Sequence, residues 1–232
     1  MSQTNPYAMA GAVPAANADV DARAQFLTKT YVWVLYGILA FSATLWGYEN
    51  VPAIKSLGNA LFGNWMLGTI VLIGSTIAVH ALAERSPINV VVYFAYAFLF
   101  GLILGPIVSY ANATAPGIVT QASLATALTF LVLTAVVFVT GKDFGFLKGI
   151  LWTGLIGMFL IALCSWIFGF GIGIWYSYAG ALIFSGFILY DTSNILRRYP
   201  TTAHISAAIV LFVDIIMLFK HLLIIFLSNN ND

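Results

Sequence analysis

Cysteine occurs once in this chain of 232 residues, at Cys164. A single thiol excludes a disulfide framework and any cysteine-based metal centre. In its apolar surroundings Cys164 reads as a small packing residue. Charge is scarce as well: nine Lys and Arg and eight Asp and Glu make up 7% of the residues, where a soluble domain carries about a quarter. The net charge of +1 says nothing about nucleic acid, but there is no basic arm or aromatic RNA-binding signature, so no nucleic acid is expected as a partner. Walker loops, HExxH, GxSxG and Cys/His zinc spacings are missing. Without a complete catalytic set the chain does not read as an enzyme, and no cofactor is called for.

What is present is apolar: 61% of the residues are hydrophobic. They recur in runs of about 20, the length that crosses a bilayer as a helix. Breaks at charged residues, Gly and Pro give seven spans, at 30–48, 65–83, 90–111, 119–140, 147–169, 174–196 and 205–227. The runs do not alternate every second residue, which excludes a β-barrel. The fold class expected is therefore an all-α integral membrane protein of seven transmembrane helices, with lipid around it. Connections are short apart from 49–64. Pro87 in "ERSPIN" suits a sharp turn, and "GKDFGF" separates the fourth and fifth spans. Residues 1–25, rich in Ala, Asn and Pro, read as a flexible cytoplasmic tail rather than a signal peptide. Residues 26–228 form the transmembrane domain, and 229–232 a short C-terminal tail.

Arg23, Lys29, Arg85, Lys142, Lys148, Arg197 and Arg198 share one side of this arrangement. Lys55 stands on the other, with Lys220 near the outer end of the last span. The positive-inside rule then predicts a cytoplasmic N-terminus and an outside C-terminus. Trp33, Trp46, Tyr48, Trp65, Trp175 and Tyr176 fall near span ends and read as interfacial aromatics.

Two acids stand where water is scarce. In "YDTSNILRRYPTTAHISAAIVLFVD" the sixth and seventh spans form a hairpin whose loop is centred between Thr202 and Ala203. Asp191 precedes that centre by as many residues as Asp214 follows it. Both carboxyl groups therefore lie at similar depth, on the order of 10 Å inside the cytoplasmic boundary. Spacing sets depth and leaves helix rotation open. A bare carboxylate in hydrocarbon costs at least ~2.5–3.5 kcal/mol, so each acid should turn inward to a partner. Two carboxylates in one dry site cannot both ionise easily, and they titrate as a pair. One shared proton holds the helices together, whereas full ionisation pushes them apart or recruits a cation such as Ca²⁺.

Other polar residues carry two readings. Asp191 can instead pair along its own helix with Arg197 or Arg198. Arg85, beside His80 and Glu84 at the end of the second span, can reach inward to an aspartate or snorkel to water. Snorkelling accounts for Lys220. His221 follows Asp214 by seven residues on the same face. It either lines an outer vestibule or packs with a hydrogen bond. Gly101 and Gly105 form a GxxxG whose ordinary meaning is close helix packing, and Pro106 adds a kink.

"GLILGPIVSYANA", "GKDFGFLKGIL", "LYDTSNI" and "LFVDIIMLFKHLLIIF" together resemble the motifs of the Bax inhibitor-1 family, over nearly all of residues 26–228. The wording is most similar to the bacterial branch that includes the modulator of the FtsH membrane protease. The resemblance implies a bundle of six helices around a central seventh. It also implies a pH-sensitive Ca²⁺ leak gated by an aspartate dyad on the sixth and seventh helices. Asp191 and Asp214 match that dyad, as gate and as the Ca²⁺-contacting oxygens. The bacterial branch further implies the cytoplasmic membrane as location and an FtsH-type AAA protease as partner, for which the 1–25 tail offers a grip. Eukaryotic relatives suppress cell death. Met217 stands where the family often carries Asn. The arginine that the family directs at its dyad from the second helix has Arg85 as nearest counterpart. Retention of both aspartates favours the ion leak over the protease partner.

Overall fold

Inside a bilayer the backbone must satisfy its own hydrogen bonds, so an apolar run has to be helical or part of a closed barrel. The computed structural model describes residues 13–63 and 65–230, and of 62, 63, 65 and 66 the backbone alone. Its α-helices are α1 (Val20–Asn50), α2 (Pro52–Gly63), α3 (Trp65–Leu82), α4 (Ile88–Thr114), α5 (Ile118–Thr140), α6 (Lys148–Phe168), α7 (Trp175–Arg197) and α8 (His204–Asn229). The extended pairing among the described residues is a single bridge, Pro14 to Pro200.

Six of these helices are long and apolar enough to cross a membrane: α1, α4, α5, α6 with its preceding turn, α7 and α8. The apolar stretch of α3 is shorter, Leu67–Leu82. α8 is the most enclosed of the six, with 61% of its apolar window buried, and α6 the least, with 11%. The chain divides into two compact units, Met1–Tyr110 with Leu196–Phe212, and Ala111–Ile195 with Val213–Asp232.

In the first unit α1 lies close against α4. A Cβ on Gly101 would come within 2.5 Å of Thr44, and one on Gly105 within 2.5 Å of the Tyr48 ring. The GxxxG therefore does what its spacing predicts: it lets α1 approach the α4 backbone. Tyr48 departs from expectation. It is 2% exposed, and its hydroxyl donates to Asn59 Oδ1. The reason is α2. Residues 49–64, expected as a long connection, fold into a helix that brings Gly58 and Asn59 onto the Tyr48 ring. Trp46 and Trp175 are exposed at 68% and 79%, as interfacial aromatics are.

The 1–25 tail also needs correction where it is described. Residues 1–12 lie outside the described residues, but Ala15 is fully buried. Its N–H donates to the Tyr199 carbonyl at 2.8 Å, and Thr201 N–H donates to the Val13 carbonyl at 3.3 Å. α1 then begins at Val20, ten residues before the first apolar run. Hydropathy marks only the part of a helix that suits lipid; its polar first turns, with Asp21 and Arg23, are helical all the same.

The second unit holds α5, α6, most of α7 and the later part of α8. Leu151, Phe184, Phe187, Ile188 and Leu218 form its core. Gly186 makes room for Leu151, whose Cδ2 would lie 2.5 Å from an added Cβ.

Candidate functional site

Four polar residues in a row, Asp191, Thr192, Ser193 and Asn194, interrupt α7. Successive residues on a helix point about 100° apart, so the four cannot share one partner. Thr192, Ser193 and Asn194 are buried and Asp191 half-buried. Asp191 has two hydrogen-bonding partners, the Asn194 side chain one turn on and the Asp214 carboxyl group of α8. Ser193 turns to the loop between α5 and α6. Its Oγ accepts the Phe144 N–H at 3.0 Å and donates to Asp143 Oδ1 at 3.4 Å. Asp143 Oδ1 also accepts the Gly145 N–H at 2.8 Å, so the "GKDFGF" loop is fastened beside Asp191.

Asp214 is 4% exposed. It bonds to the Asp191 carboxyl group, while its Oδ2 is buried without a hydrogen-bond partner. Thr192 Oγ1 is in the same condition. Two ionised carboxylates only accept hydrogen bonds. A bond between two carboxyl groups therefore requires at least one proton on the pair. Ile188 precedes Asp191 by about one turn and Leu218 follows Asp214 by about one turn, and both belong to the apolar cluster with Leu151 and Phe187. Apolar residues of this cluster thus follow the pair along both helices, at Ile188 on α7 and Leu218 on α8.

Arg85 is exposed in the turn between α3 and α4, and Arg197 and Arg198 are half-buried at the end of α7. His221 lies two turns along α8 from Asp214. It is 1% exposed and stacks on Phe184 with ring centroids 5.8 Å apart. Met217 packs against the apolar cluster. Sequence reasoning passed over Ser193 and Asn194, although a four-residue polar run in an apolar helix is itself the signal.

Among the described residues no group of three or more His, Cys, Asp and Glu is placed to hold a metal ion. Two carboxylates alone supply a minority of the six to eight oxygens Ca²⁺ prefers.

The family described as Inhibitor of apoptosis-promoting Bax1 matches residues 23–231. An uncharacterized membrane protein of Vibrio cholerae is 37% identical over 69% of this chain and 73% of its own. Protein lifeguard 4 of Mus musculus is 30% identical over 90% of this chain and 87% of its own. Bax inhibitor 1 of Schizosaccharomyces pombe is 33% identical over 73% of this chain and 62% of its own. A multi-pass helical architecture and a match across almost the whole transmembrane region lead to one conclusion: the chain belongs to the Bax inhibitor-1 family.

Proposed function

We propose that this protein is a pH-gated cation leak of a bacterial cytoplasmic membrane, with Ca²⁺ as its cargo and Asp191 and Asp214 as its gate. The observation that carries this reading is the hydrogen bond between the two carboxyl groups, side by side on α7 and α8. While they share a proton the two helices are held together and the apolar layer above them stays shut. Loss of that proton leaves two negative charges in a poorly hydrated site. Repulsion then separates the helices, or a cation enters to neutralise them. Counting α3 with the six longer helices gives seven spans. The excess of Lys and Arg at one side puts the N-terminus inside, and the burial of α8 suits a central position for it.

The test is Ca²⁺ flux in vesicles carrying the purified protein, measured with a trapped indicator across the neutral range. Flux should rise with pH in the native protein. Asp191→Asn and Asp214→Asn together should abolish that dependence. An unchanged, pH-dependent flux in the double variant would remove the pair from the mechanism.

A second reading is regulation of an FtsH-type AAA protease without ion flux. It is favoured by the strap at Val13 and Ala15, which ties the path to the N-terminal tail onto the turn between α7 and α8. Deletion of residues 1–12 separates the two. Loss of protease restraint with the leak intact supports a partner role for the tail, and unchanged copurification and turnover of protease substrates count against it.

A further inference from the structure

Beyond the acid pair, α7 and α8 face each other in a regular order. Phe184 precedes Asp191 by seven residues and His221 follows Asp214 by seven. Seven residues are about two turns, so each lies on the same helix face as its aspartate. The two rings meet, stacked at 5.8 Å and 20°. Tyr176 also lies against the histidine, tilted, with ring centroids 5.9 Å apart. The ring rests directly on the backbone of Gly180, where any Cβ would collide with its Nε2, Cε1 and Cδ2 edge. Gly180 precedes Asp191 by eleven residues, about three turns, and shares its face.

A histidine so placed is not explained by packing. It is 1% exposed, yet its Nδ1 has no hydrogen-bond partner in the protein. Phenylalanine or tyrosine would fill the same slot without an orphaned nitrogen. Buried polar groups are bonded to protein or to ordered water in the great majority of cases. Asp214 Oδ2 and Thr192 Oγ1 in the same unit share that condition. Along α7 and α8, Thr192 and Asp214 lie on one side of Ile188 and Leu218 and His221 on the other, where its ring meets Phe184 of the same apolar cluster. Lys220 is next to His221 on α8, and Tyr176 of α7 lies against its ring.

We propose that His221 is the second polar station of the ion path, on the far side of the apolar layer from the aspartates. Its Nδ1 binds the water that rehydrates a cation leaving the acid pair, and Gly180 and Phe184 fix the ring that presents it. This rests on the cation-leak reading and adds a residue to its path. Hydrophobic constrictions between wetter stations are a known way to gate permeation by dewetting. The order acid pair, apolar layer, histidine fits that scheme.

The placement is tested without any flux measurement. In bilayers, water-edited solid-state NMR on ¹⁵N-histidine-labelled native protein follows three histidines. Magnetisation from water should reach the His221 ring nitrogen about tenfold faster than it reaches Ile188 or Leu218 in the dry layer. Transfer as slow as to those residues would overturn the proposal. His221→Phe keeps an aromatic ring at the position and removes both ring nitrogens. It should lower Ca²⁺ flux about tenfold while the pH midpoint, set by the aspartates, stays in place. Unchanged flux in that variant would also overturn it. A dry His221 in a protein that leaks removes the station and leaves the leak. A wet His221 in a protein with no leak would overturn the leak reading, and with it the station's place in an ion path, while leaving Nδ1 hydrated.

Discussion

Ser193 Oγ accepts the amide of Phe144 and donates to Asp143, fastening the loop between α5 and α6 to the helix that carries Asp191. The bonding makes the loop part of the site's frame. Ser193→Ala leaves the part-buried Phe144 N–H without its acceptor, and loss of such a hydrogen bond costs about 0.5–1.5 kcal/mol. Unfolding in mild detergent should shift by that order. Amide exchange should quicken at Phe144 and Gly145 first. Equal protection in the native and substituted proteins would show that the loop is held by something else.

The acid pair makes a prediction about additivity. If Asp191 and Asp214 share one proton, removing either carboxylate ends the sharing. Asp191→Asn and Asp214→Asn should each flatten the pH dependence of Ca²⁺ flux, and the double variant should add little to either. Groups that act as a unit behave in this non-additive way. Independent effects that multiply in the double variant would mean that the two acids titrate separately.

Gly105 is where α4 admits the Tyr48 ring, 2.5 Å from an ideal Cβ. Tyr48 also meets Gly58 and bonds Asn59 of α2, so it has little freedom to yield. Gly105→Ala should therefore destabilise the protein by about 1–3 kcal/mol through overpacking. Thermal unfolding in detergent reads this directly. Gly149, with open space around its Cβ direction, is the matched control and should tolerate alanine.

Ala15 has no exposed surface and bonds through its N–H to Tyr199. Ala15→Asp puts a charge where nothing compensates it. The strap should release, seen as faster exchange of the Ala15-position and Thr201 amides, while the transmembrane helices stay protected. Protection at Thr201 as in the native protein would show that the turn is ordered without the strap.

Much of this could be read in the chain, for identifiable reasons. Long apolar runs have few alternatives in a bilayer, so the positions of α4 to α8 follow closely from hydropathy. GxxxG at Gly101 and Gly105 has a direct steric meaning. The equal spacing of Asp191 and Asp214 about their turn is arithmetic along a hairpin. What escaped was tertiary. α2 is too short and too mixed in composition to signal a span, and without it Tyr48 looks like an interfacial aromatic. The short side chains of the N-terminal segment suggest little packing, yet Ala15 is buried because it pairs through its backbone. Rotation of α7 about its axis decides that Asn194 joins the acids and Ser193 joins the loop, and spacing along one chain does not carry that information.

The most direct test of the central claim is the infrared signal of protonated carboxyl groups, followed through a pH titration in bilayers. The native protein should show a carboxylic-acid band that persists near neutral pH and vanishes as the pH rises together with the onset of Ca²⁺ flux. That band should be lost in Asp214→Asn. A native protein with every carboxyl group ionised at neutral pH, or a band untouched by Asp214→Asn, would contradict the account.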